Sequence, residues 1–150
     1  MQGIYESHSE SETAEVARRL AGELPRRSAV LLYGDLGAGK TAFVRGLVAG
    51  AGGEPDDVSS PTFVLMQEYG GDRRVDHVDL YRLREPEVED FADELADRLA
   101  GDGIVAIEWA DRLTWPIEGA VHVRIDDLGG DARRIRIDGP GPGPGQRAAR

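Results

Sequence analysis

The chain has 150 residues, no cysteine and a formal net charge of −10. A single hydrophobic core commonly serves about 100–200 residues, so we expect one domain, over residues 1–138. The composition of 40% hydrophobic and 31% charged residues is typical of globular proteins. The lack of cysteine excludes disulfides, thiolate nucleophiles and cysteine-ligated metals. An oxygen-liganded cation such as Mg²⁺ fits the composition best.

The net charge and the hydropathy indicate which binding partners and which cellular compartment to expect. Because 28 acidic residues outnumber 18 basic ones, the chain is poorly suited to bind nucleic-acid phosphates directly. No segment approaches the roughly 20 apolar residues of a membrane span, and the first residues lack the pattern of a signal peptide. We therefore expect a cytoplasmic protein with no DNA and no membrane partner.

The first half of the chain alternates between helix and strand patterns. Ser9 and Glu12 have the spacing of a capping box, which predicts a helix that ends at Pro25. Residues 29–33 form a short apolar run, as expected for a strand that is buried on both faces. A glycine-rich loop follows, and apolar residues at helical spacing predict a second helix over residues 40–50.

The second half predicts a hairpin, one helix and three further strands. In chain order, its elements are a strand over 62–69, a turn at 70–72, a strand over 74–81, a helix from Pro86 to the glycines at 101–103, and strands over 104–107, 120–125 and 133–137. We expect the last two strands to be antiparallel and peripheral. The repeated glycines and prolines predict a disordered tail over residues 139–150.

The chain contains a match to the phosphate-binding pattern G-x-x-x-x-G-K-[ST], namely Gly34-Asp35-Leu36-Gly37-Ala38-Gly39-Lys40-Thr41. It lies between the buried strand and the second helix, where backbone N–H groups surround phosphates. Lys40, the only lysine of the chain, would contact the β- and γ-phosphates, and the Thr41 hydroxyl would ligate Mg²⁺. The pattern predicts an α/β fold of the P-loop NTPase type, with three layers, α/β/α, a mixed central sheet and antiparallel strands at the periphery.

Two carboxylates compete for the Mg²⁺ that such a loop requires. Glu108 follows four apolar residues at the carboxyl end of a predicted parallel strand, where open α/β sheets bind their ligands. Asp79 lies in the run 77–82, whose alternation puts His77, Asp79 and Tyr81 on one face. On spacing alone, a solvated strand carboxylate is the alternative interpretation of both residues.

One hydroxyl and three histidines remain as candidates. Thr62, which follows Ser60-Pro61, is a candidate sensor of the γ-phosphate, although the same residues are common in simple turns. The three histidines, His8, His77 and His122, are not spaced as a metal cluster. Each is expected to be structural or exposed, so no zinc site is predicted.

These motifs, in this order and spacing, closely resemble the TsaE (YjeE) family from about Ser9 to Arg136. Four segments carry the resemblance: residues 34–41, Ser60-Pro61-Thr62-Phe63, His77-Val78-Asp79-Leu80-Tyr81-Arg82-Leu83 and Ile107-Glu108-Trp109. A phosphate loop alone occurs in many proteins, whereas this combination in so short a chain is specific. One departure is that Ala110-Asp111-Arg112 follows Trp109, where many relatives have proline.

Members of that family are small bacterial ATPases required for installing N6-threonylcarbamoyladenosine beside the anticodon of tRNA. The resemblance implies an ATPase that uses ATP and Mg²⁺, acts with the proteins TsaD and TsaB, and meets tRNA only through that complex. Because TsaD performs the transfer in these systems, the ATP cycle is expected to regulate or reset the complex. We expect slow turnover by the chain alone.

The resemblance also implies roles for individual residues. Lys40 matches the phosphate-binding lysine, and Thr41 and Glu108 match residues associated with Mg²⁺. Thr62 falls on the Ser-Pro-Thr segment that contacts the γ-phosphate region. Asp79 is the acidic residue of the Asp-Leu-Tyr-Arg motif, to which hydrolysis or the positioning of Mg²⁺-bound water is assigned.

Three further residues have looser assignments. Thr13 resembles a family position near the adenine, and Arg133 matches an arginine near the nucleotide. Arg82 is expected to be structural. Because no arginine is recognisably placed to complete the site, completion by TsaD and TsaB is the hypothesis.

Two other classes of function remain open on the residues alone. A small-molecule kinase also begins with a phosphate loop on a compact α/β domain, but no arginine-rich lid is recognisable. A binding module, whose nucleotide only sets its affinity for partners, would release no more than one phosphate per protein. P-loop domains host many functions, so the fold alone does not choose among these.

Overall fold

The computed structural model describes residues 1–35, 37–59 and 65–140. Its helices are α1 (Glu10–Glu23), α2 (Lys40–Gly50), α3 (Glu85–Asp90) and α4 (Ala92–Ala100), with short 3₁₀ helices at Pro55–Asp57 and Ala110–Arg112. Its strands are β1 (Gly3–Ser7), β2 (Arg27–Tyr33), β3 (Met66–Tyr69), β4 (Val75–Asp79), β5 (Gly103–Glu108), β6 (Val121–Gly129) and β7 (Ala132–Asp138). Most of the predicted tail and the first part of the predicted strand over 62–69 lie outside the described residues.

The described strands form one mixed sheet of seven strands in the order β1-β7-β6-β2-β5-β4-β3. Strands β6, β2, β5 and β4 pair in parallel. The antiparallel pairs β1–β7, β6–β7 and β3–β4 flank them. This arrangement confirms the predicted α/β fold with a mixed central sheet. In open sheets of this kind, ligands bind beyond the carboxyl ends of the parallel strands.

Helices α1 and α2 cover one face of the sheet. The Ser9 hydroxyl caps α1 by accepting the N–H of Glu12 at 3.0 Å. The predicted capping box is only half formed, because the Glu12 carboxylate accepts the N–H of His8 at 2.8 Å. The two helices touch closely, since a Cβ at Gly46 would lie 2.0 Å from the backbone oxygen of Ala14. This contact fixes the position of α2 and of the residues at its N-terminus.

Helices α3 and α4 cover the opposite face, where the sequence predicts one continuous helix. That prediction is wrong at Phe91, whose N–H is shared between the backbone oxygens of Glu87 and Val88, both at 3.1 Å. The shared bond tightens the last turn of α3, and α4 begins at the next residue. Val88, Phe91 and Leu95 are buried in one core on both sides of the break, so the helical spacing of the apolar residues continues across it.

The last two strands form the predicted antiparallel pair, which lies on the flank of the parallel strands. Strand β1 extends the sheet beyond β7, and β6 pairs in parallel with β2, so neither β6 nor β7 is an edge strand. Val123 and Ile125 of β6 are fully buried under α1 and α2, whereas Arg124 between them is exposed. The alternation of buried and exposed residues along β6 therefore indicates that one face of the sheet is open to solvent at this point.

The helices are short compared with a bilayer. Helix α1 has 14 residues, against the roughly 20 that a membrane-spanning helix needs. Within residues 1–35, 37–59 and 65–140, no helix is long and apolar enough to cross a membrane.

Candidate functional site

The glycine-rich loop connects β2, in the middle of the sheet, to the N-terminus of α2. Gly34 has a φ of +150°, and a Cβ there would lie 2.6 Å from the backbone oxygen of Ile125. Gly39, directly before α2, has a φ of +110°, which residues with a side chain rarely adopt. Both positions therefore require glycine. Leu36 lies outside the described residues.

The N-terminus of α2 offers backbone donors to a ligand. Gly39 occupies the N-cap position, and no side chain caps the helix there. The first N–H groups of a helix lack partners inside the helix, and the helix dipole favours an anion beside them. Lys40 and Thr41, the first residues of α2, add an ammonium group and a hydroxyl group. A phosphate group matches this set of donors.

The ammonium group of Lys40 is buried against its own loop. Lys40 is 5% exposed, and its Nζ donates to the backbone oxygens of Gly34 and, at 3.2 Å, Asp35. The same Nζ lies 3.9 Å from the ring centre of Trp109. Burial lowers the pKa of Lys40, while four nearby carboxylates, with Glu108 the strongest, favour the charged form.

The two candidate Mg²⁺ carboxylates lie side by side on neighbouring strands. Asp79 of β4 is opposite Glu108 of β5, and Glu108 is also opposite Leu32 of β2. Both therefore lie at the carboxyl ends of parallel strands, Glu108 on the strand next to β2 and Asp79 one strand further away. Burial raises the pKa of Asp79, and the charge of Glu108 adds to this. The N–H of Tyr81, 2.9 Å from Oδ1 of Asp79, acts in the opposite direction.

His77 is fully buried beside Glu108. Its Nε2 forms a hydrogen bond with Oε2 of Glu108. The sequence predicts a structural or exposed histidine, and the structure places it against a candidate Mg²⁺ ligand. The alternation along residues 77–82 already puts His77 on the same face as Asp79. Only the register between β4 and β5 reveals the contact with Glu108.

Trp109 covers the site where β5 leads into the second 3₁₀ helix. It has a φ of +58° and is the only non-glycine residue with positive φ in the described chain. Its ring centre lies 4.9 Å from that of Tyr81 and 5.9 Å from the guanidinium carbon of Arg112. Such backbone strain persists where surrounding contacts hold it and often marks functional sites. The sequence names these three residues but gives no sign that they stack, because their spacing alone does not bring them together.

Arg133 holds the loop from the side of β7. Its Nε donates to the backbone oxygen of Ala38 at 3.0 Å, and its Nη2 to that of Gly37 at 3.2 Å. Its Nη1 donates to the Asp127 carboxylate at 3.1 Å. The structure thus brings Arg133 to the phosphate loop, where its guanidinium group fixes the path of the loop backbone.

Thr13 lies behind the loop on α1. It is 1% exposed, and its Oγ1 is 2.7 Å from the Oγ of Ser7. Its methyl carbon would be 3.9 Å from a Cβ at Gly39. The hydroxyl therefore serves the junction of β1 and α1, while the methyl group faces the loop. The role near the adenine stays a prediction.

Thr62 lies among residues 60–64, outside the described residues, so its role as a γ-phosphate sensor stays a prediction. In the described part of the chain, no group of three or more histidine, aspartate or glutamate side chains is arranged to hold a metal ion. The predicted Mg²⁺ site therefore depends on Asp79 and Glu108 together with the hydroxyl of Thr41.

Comparison with known proteins gives matches over most of the chain. The model of the family described as "Threonylcarbamoyl adenosine biosynthesis protein TsaE" matches residues 7–135. Three curated proteins with the name "tRNA threonylcarbamoyladenosine biosynthesis protein TsaE" are similar. The protein of Rickettsia conorii is 42% identical, covering 89% of this chain and 77% of the relative. That of Treponema pallidum is 40% identical, with 87% and 96% covered, and that of Aquifex aeolicus is 35% identical, with 86% and 90% covered.

A solved structure shares the fold over most of the chain. The crystal structure of YdiB from Bacillus subtilis matches with a TM-score of 0.71 at 26% sequence identity. The match covers 94% of this chain and 87% of that chain. The likeness therefore includes the sheet and both helical layers, and is not limited to the phosphate loop.

Proposed function

The chain belongs to the TsaE family, and from this premise we propose that it is a Mg²⁺-dependent ATPase serving threonylcarbamoyladenosine formation in tRNA. Membership of the family supports a role in that biosynthesis. Together with the α/β fold, it also supports the binding of a nucleotide. The proposal adds three further points: the chain hydrolyses ATP, it needs Mg²⁺, and it regulates partner proteins.

The position of Lys40 between the phosphate loop and two carboxylates carries the proposal. Asp79 and Glu108 are opposite each other on adjacent strands, and both act electrostatically on Lys40. NTP hydrolysis requires a lysine on the phosphates, an acidic residue that holds Mg²⁺ and a group that positions water. The residues around this loop supply one candidate for each of these parts.

The residues present fit both ATP and Mg²⁺. The uncapped N-terminus of α2, which follows Gly39 at a φ of +110°, suits phosphate oxygens. Thr41, Asp79 and Glu108 provide the hard oxygen ligands that Mg²⁺ prefers. When bound, Mg²⁺ would neutralise charge on the β- and γ-phosphate oxygens.

Asp79 is the group that we assign to the attacking water. The N–H of Tyr81 holds Oδ1, which leaves Oδ2 to accept the proton. Its pKa, raised by burial, makes the carboxylate a stronger base than an exposed aspartate. Thr62 is the second group proposed to place the water. Lys40 stabilises the negative charge that develops on the phosphate oxygens.

The proposal assigns the chain to a complex with TsaD and TsaB, in which it regulates or resets the transferase. The net charge of −10 supports this division of labour, because an acidic chain is poorly suited to hold tRNA itself. The stack of Tyr81, Trp109 and Arg112 lies beside Lys40 and includes a Tyr81 side chain that is 37% exposed. These residue types are enriched at protein interfaces, so a partner that docks there would complete the site.

The test is threonylcarbamoyl transfer to tRNA over many turnovers by matched TsaD and TsaB, with phosphate release recorded in parallel. Lys40→Ala is expected to lower phosphate release by about 10²–10³-fold, the effect of removing one group that stabilises transition-state charge. Sustained transfer should stop with it. Arg18→Ala is the control, because it removes an exposed cation that pairs with Glu15 on α1.

Each failure would identify a different error. If the wild type neither sustains modification nor contacts the partners, the biosynthetic role is wrong. Release of no more than one phosphate per protein in the full complex would indicate a nucleotide-gated binding module. Equal turnover with and without TsaD and TsaB would remove the partner-dependent part of the proposal. Transfer of phosphate to a small-molecule acceptor would indicate a kinase.

A further inference from the structure

His77 has an environment that packing alone does not explain. The imidazole is 0% exposed, and its Nε2 is hydrogen-bonded to Oε2 of Glu108. A carboxylate has no proton to give, so Nε2 is the donor. Nδ1 is buried without a hydrogen-bond partner in the part of the chain that the structure describes. Buried polar atoms are nearly always hydrogen-bonded. Burying Nδ1 without a partner therefore costs free energy, which the hydrogen bond to Glu108 must offset.

His122 offers a comparison within the same sheet. It is 2% exposed, and its Nδ1 lies 2.9 Å from the hydroxyl of Tyr33, with the two rings stacked at 5.8 Å. That bond joins the ring to a neutral partner on the neighbouring strand, as expected of a structural histidine. His77 instead donates a hydrogen bond to the carboxylate of Glu108, an acidic group near the phosphate loop.

The strand register brings the imidazole to Glu108. His77 is opposite Ala106 in the pairing of β4 with β5, and Asp79 is opposite Glu108. The small side chain of Ala106 leaves room for Glu108 to reach back toward the imidazole. On the other side, the ring of Tyr69 lies 6.4 Å from that of His77, centre to centre. The imidazole is therefore fully buried, with its Nε2 bonded to Glu108 and the ring of Tyr69 nearby.

We propose that His77 is a positioning residue, which holds the Glu108 carboxylate in the orientation that Mg²⁺ binding requires; this inference rests on the proposed function. Glu108 is 4% exposed, so water contributes little to fixing its carboxylate. Several bonds of a glutamate side chain rotate freely, and a hydrogen bond on Oε2 restricts them while Oε1 keeps its acceptor capacity. Partners that orient metal ligands in this way are typically worth about 10–100-fold in metal affinity.

The test compares variants of His77 in the full chain. His77→Gln keeps an N–H donor at about the position of Nε2, whereas His77→Leu fills the space without a donor. His122→Leu is the matched control, since it removes a buried histidine on β6, which β2 separates from the strand of Glu108. ATP binding is measured by calorimetry across a range of Mg²⁺ concentrations and in EDTA, and urea denaturation reports the stability of every variant.

We expect His77→Leu to need about 10–100-fold more Mg²⁺ for ATP binding, with its affinity for ATP in EDTA unchanged. His77→Gln should recover most of the Mg²⁺ affinity, and His122→Leu should match the wild type. Equal Mg²⁺ affinity in His77→Leu and the wild type would overturn the inference. If His77→Leu does not fold, His77→Asn replaces it, because its amide is too short to reach Glu108 and must lose the Mg²⁺ affinity that His77→Gln keeps.

The inference and the proposed function fail in different ways. If ATP binding by the wild type does not depend on Mg²⁺ at any concentration, the proposed Mg²⁺ site is wrong, and the role of His77 falls with it. If wild-type binding depends on Mg²⁺ and the leucine variant behaves identically, only the role of His77 is wrong.

Discussion

Asp76 and Asp79 both lie on β4, and burial raises the pKa of both, yet their surroundings differ. The Asp76 side chain is 1% exposed and lies between two guanidinium groups. Nε of Arg74 is 3.2 Å from its Oδ2, and Nη1 of Arg98 is 3.4 Å from its Oδ1. Both arginines act against the effect of burial on the pKa of Asp76. Its charge is therefore compensated inside the fold, where it connects α4 to β4.

Asp79 is compensated much less. Within the described residues no arginine pairs with it, and its Oδ1 accepts the backbone N–H of Tyr81. Lys40 is the nearby cation, but its Nζ is engaged by oxygens of the loop. Buried charges with direct partners mainly serve structure, whereas perturbed groups without them are typical of binding and catalytic sites. Under the proposed function, this difference distinguishes Asp76, a structural carboxylate, from Asp79, the carboxylate assigned to catalysis on the same strand.

Asp79→Asn tests this difference with the largest expected effect. An amide does not accept the proton of the attacking water, so ATP hydrolysis should fall by about 10²–10⁴-fold, the usual contribution of a general base. Single-turnover phosphate release measures the effect, and ATP binding in EDTA should persist. Asp76→Asn is the control, because it changes the structural carboxylate of the same strand. Hydrolysis by folded Asp76→Asn that is reduced as far as in Asp79→Asn would contradict the distinction.

The same Asp79→Asn variant has a predicted effect on stability. Because the pKa of Asp79 is raised above its usual 3.8 in the folded protein, the folded state binds more protons than the unfolded state between the two values. The free energy of unfolding therefore falls as pH rises through that interval, and the loss persists at neutral pH. The variant should be more stable than the wild type at pH 7, with a difference that shrinks below about pH 4. Urea denaturation at both pH values measures it, and a less stable variant at pH 7 would refute the prediction.

Arg98→Met tests the structural cluster and has the next largest expected effect. Methionine keeps the apolar contacts of the side chain but removes one of the two cations on Asp76, leaving a buried carboxylate less well paired. We expect a loss of about 1–3 kcal/mol in the free energy of unfolding, with hydrolysis per folded protein unchanged. Urea denaturation measures the loss. Arg18→Met, which breaks an exposed pair with Glu15, should cost at most about 1 kcal/mol, and an equal loss in the two variants would remove the special status of Asp76.

The sequence predicts the parts of the fold that local patterns determine. The phosphate loop, the helix that starts at Lys40 and the strand that ends at Glu108 follow from glycines, spacing and apolar runs, and the structure contains them at those positions. The break at Phe91 was not predictable from spacing, because the apolar residues keep helical spacing across it and only the shared N–H bond marks it. The parallel pairing of β6 with β2 was also not predicted, since the alternation of residues indicates an open face of a strand and not its neighbours.

For the candidate site too, local patterns identify single residues but not the contacts between them. The sequence identifies Asp79 and Glu108 separately, but their pairing depends on the register of β4 and β5, which no local pattern encodes. The burial of His77 against Glu108 follows from that register. Trp109, with its positive φ, contacts Lys40 and Tyr81, which are distant from it in the sequence. Thr62 stays a prediction, because it lies outside the described residues.

Arg133→Lys has the smallest expected effect. It tests whether an arginine that binds backbone oxygens of the loop also contributes to ATP affinity. A lysine keeps the charge but lacks the planar fork that reaches the backbone oxygens of Ala38 and Gly37 together. Losing one such bond is worth about 1 kcal/mol, or roughly fivefold in ATP affinity, measured by calorimetry. Arg134→Lys, an exposed neighbour on β7, is the matched control.

The size of the loss in Arg133→Lys decides how the arginine acts. A change of roughly fivefold means that Arg133 acts through the shape of the loop, because the loop keeps Lys40 and its glycines. A loss as large as that of Lys40→Ala would mean that the guanidinium group contacts the nucleotide itself. Unchanged affinity would place Arg133 with Arg74 and Arg98, as a residue whose charge serves the fold alone.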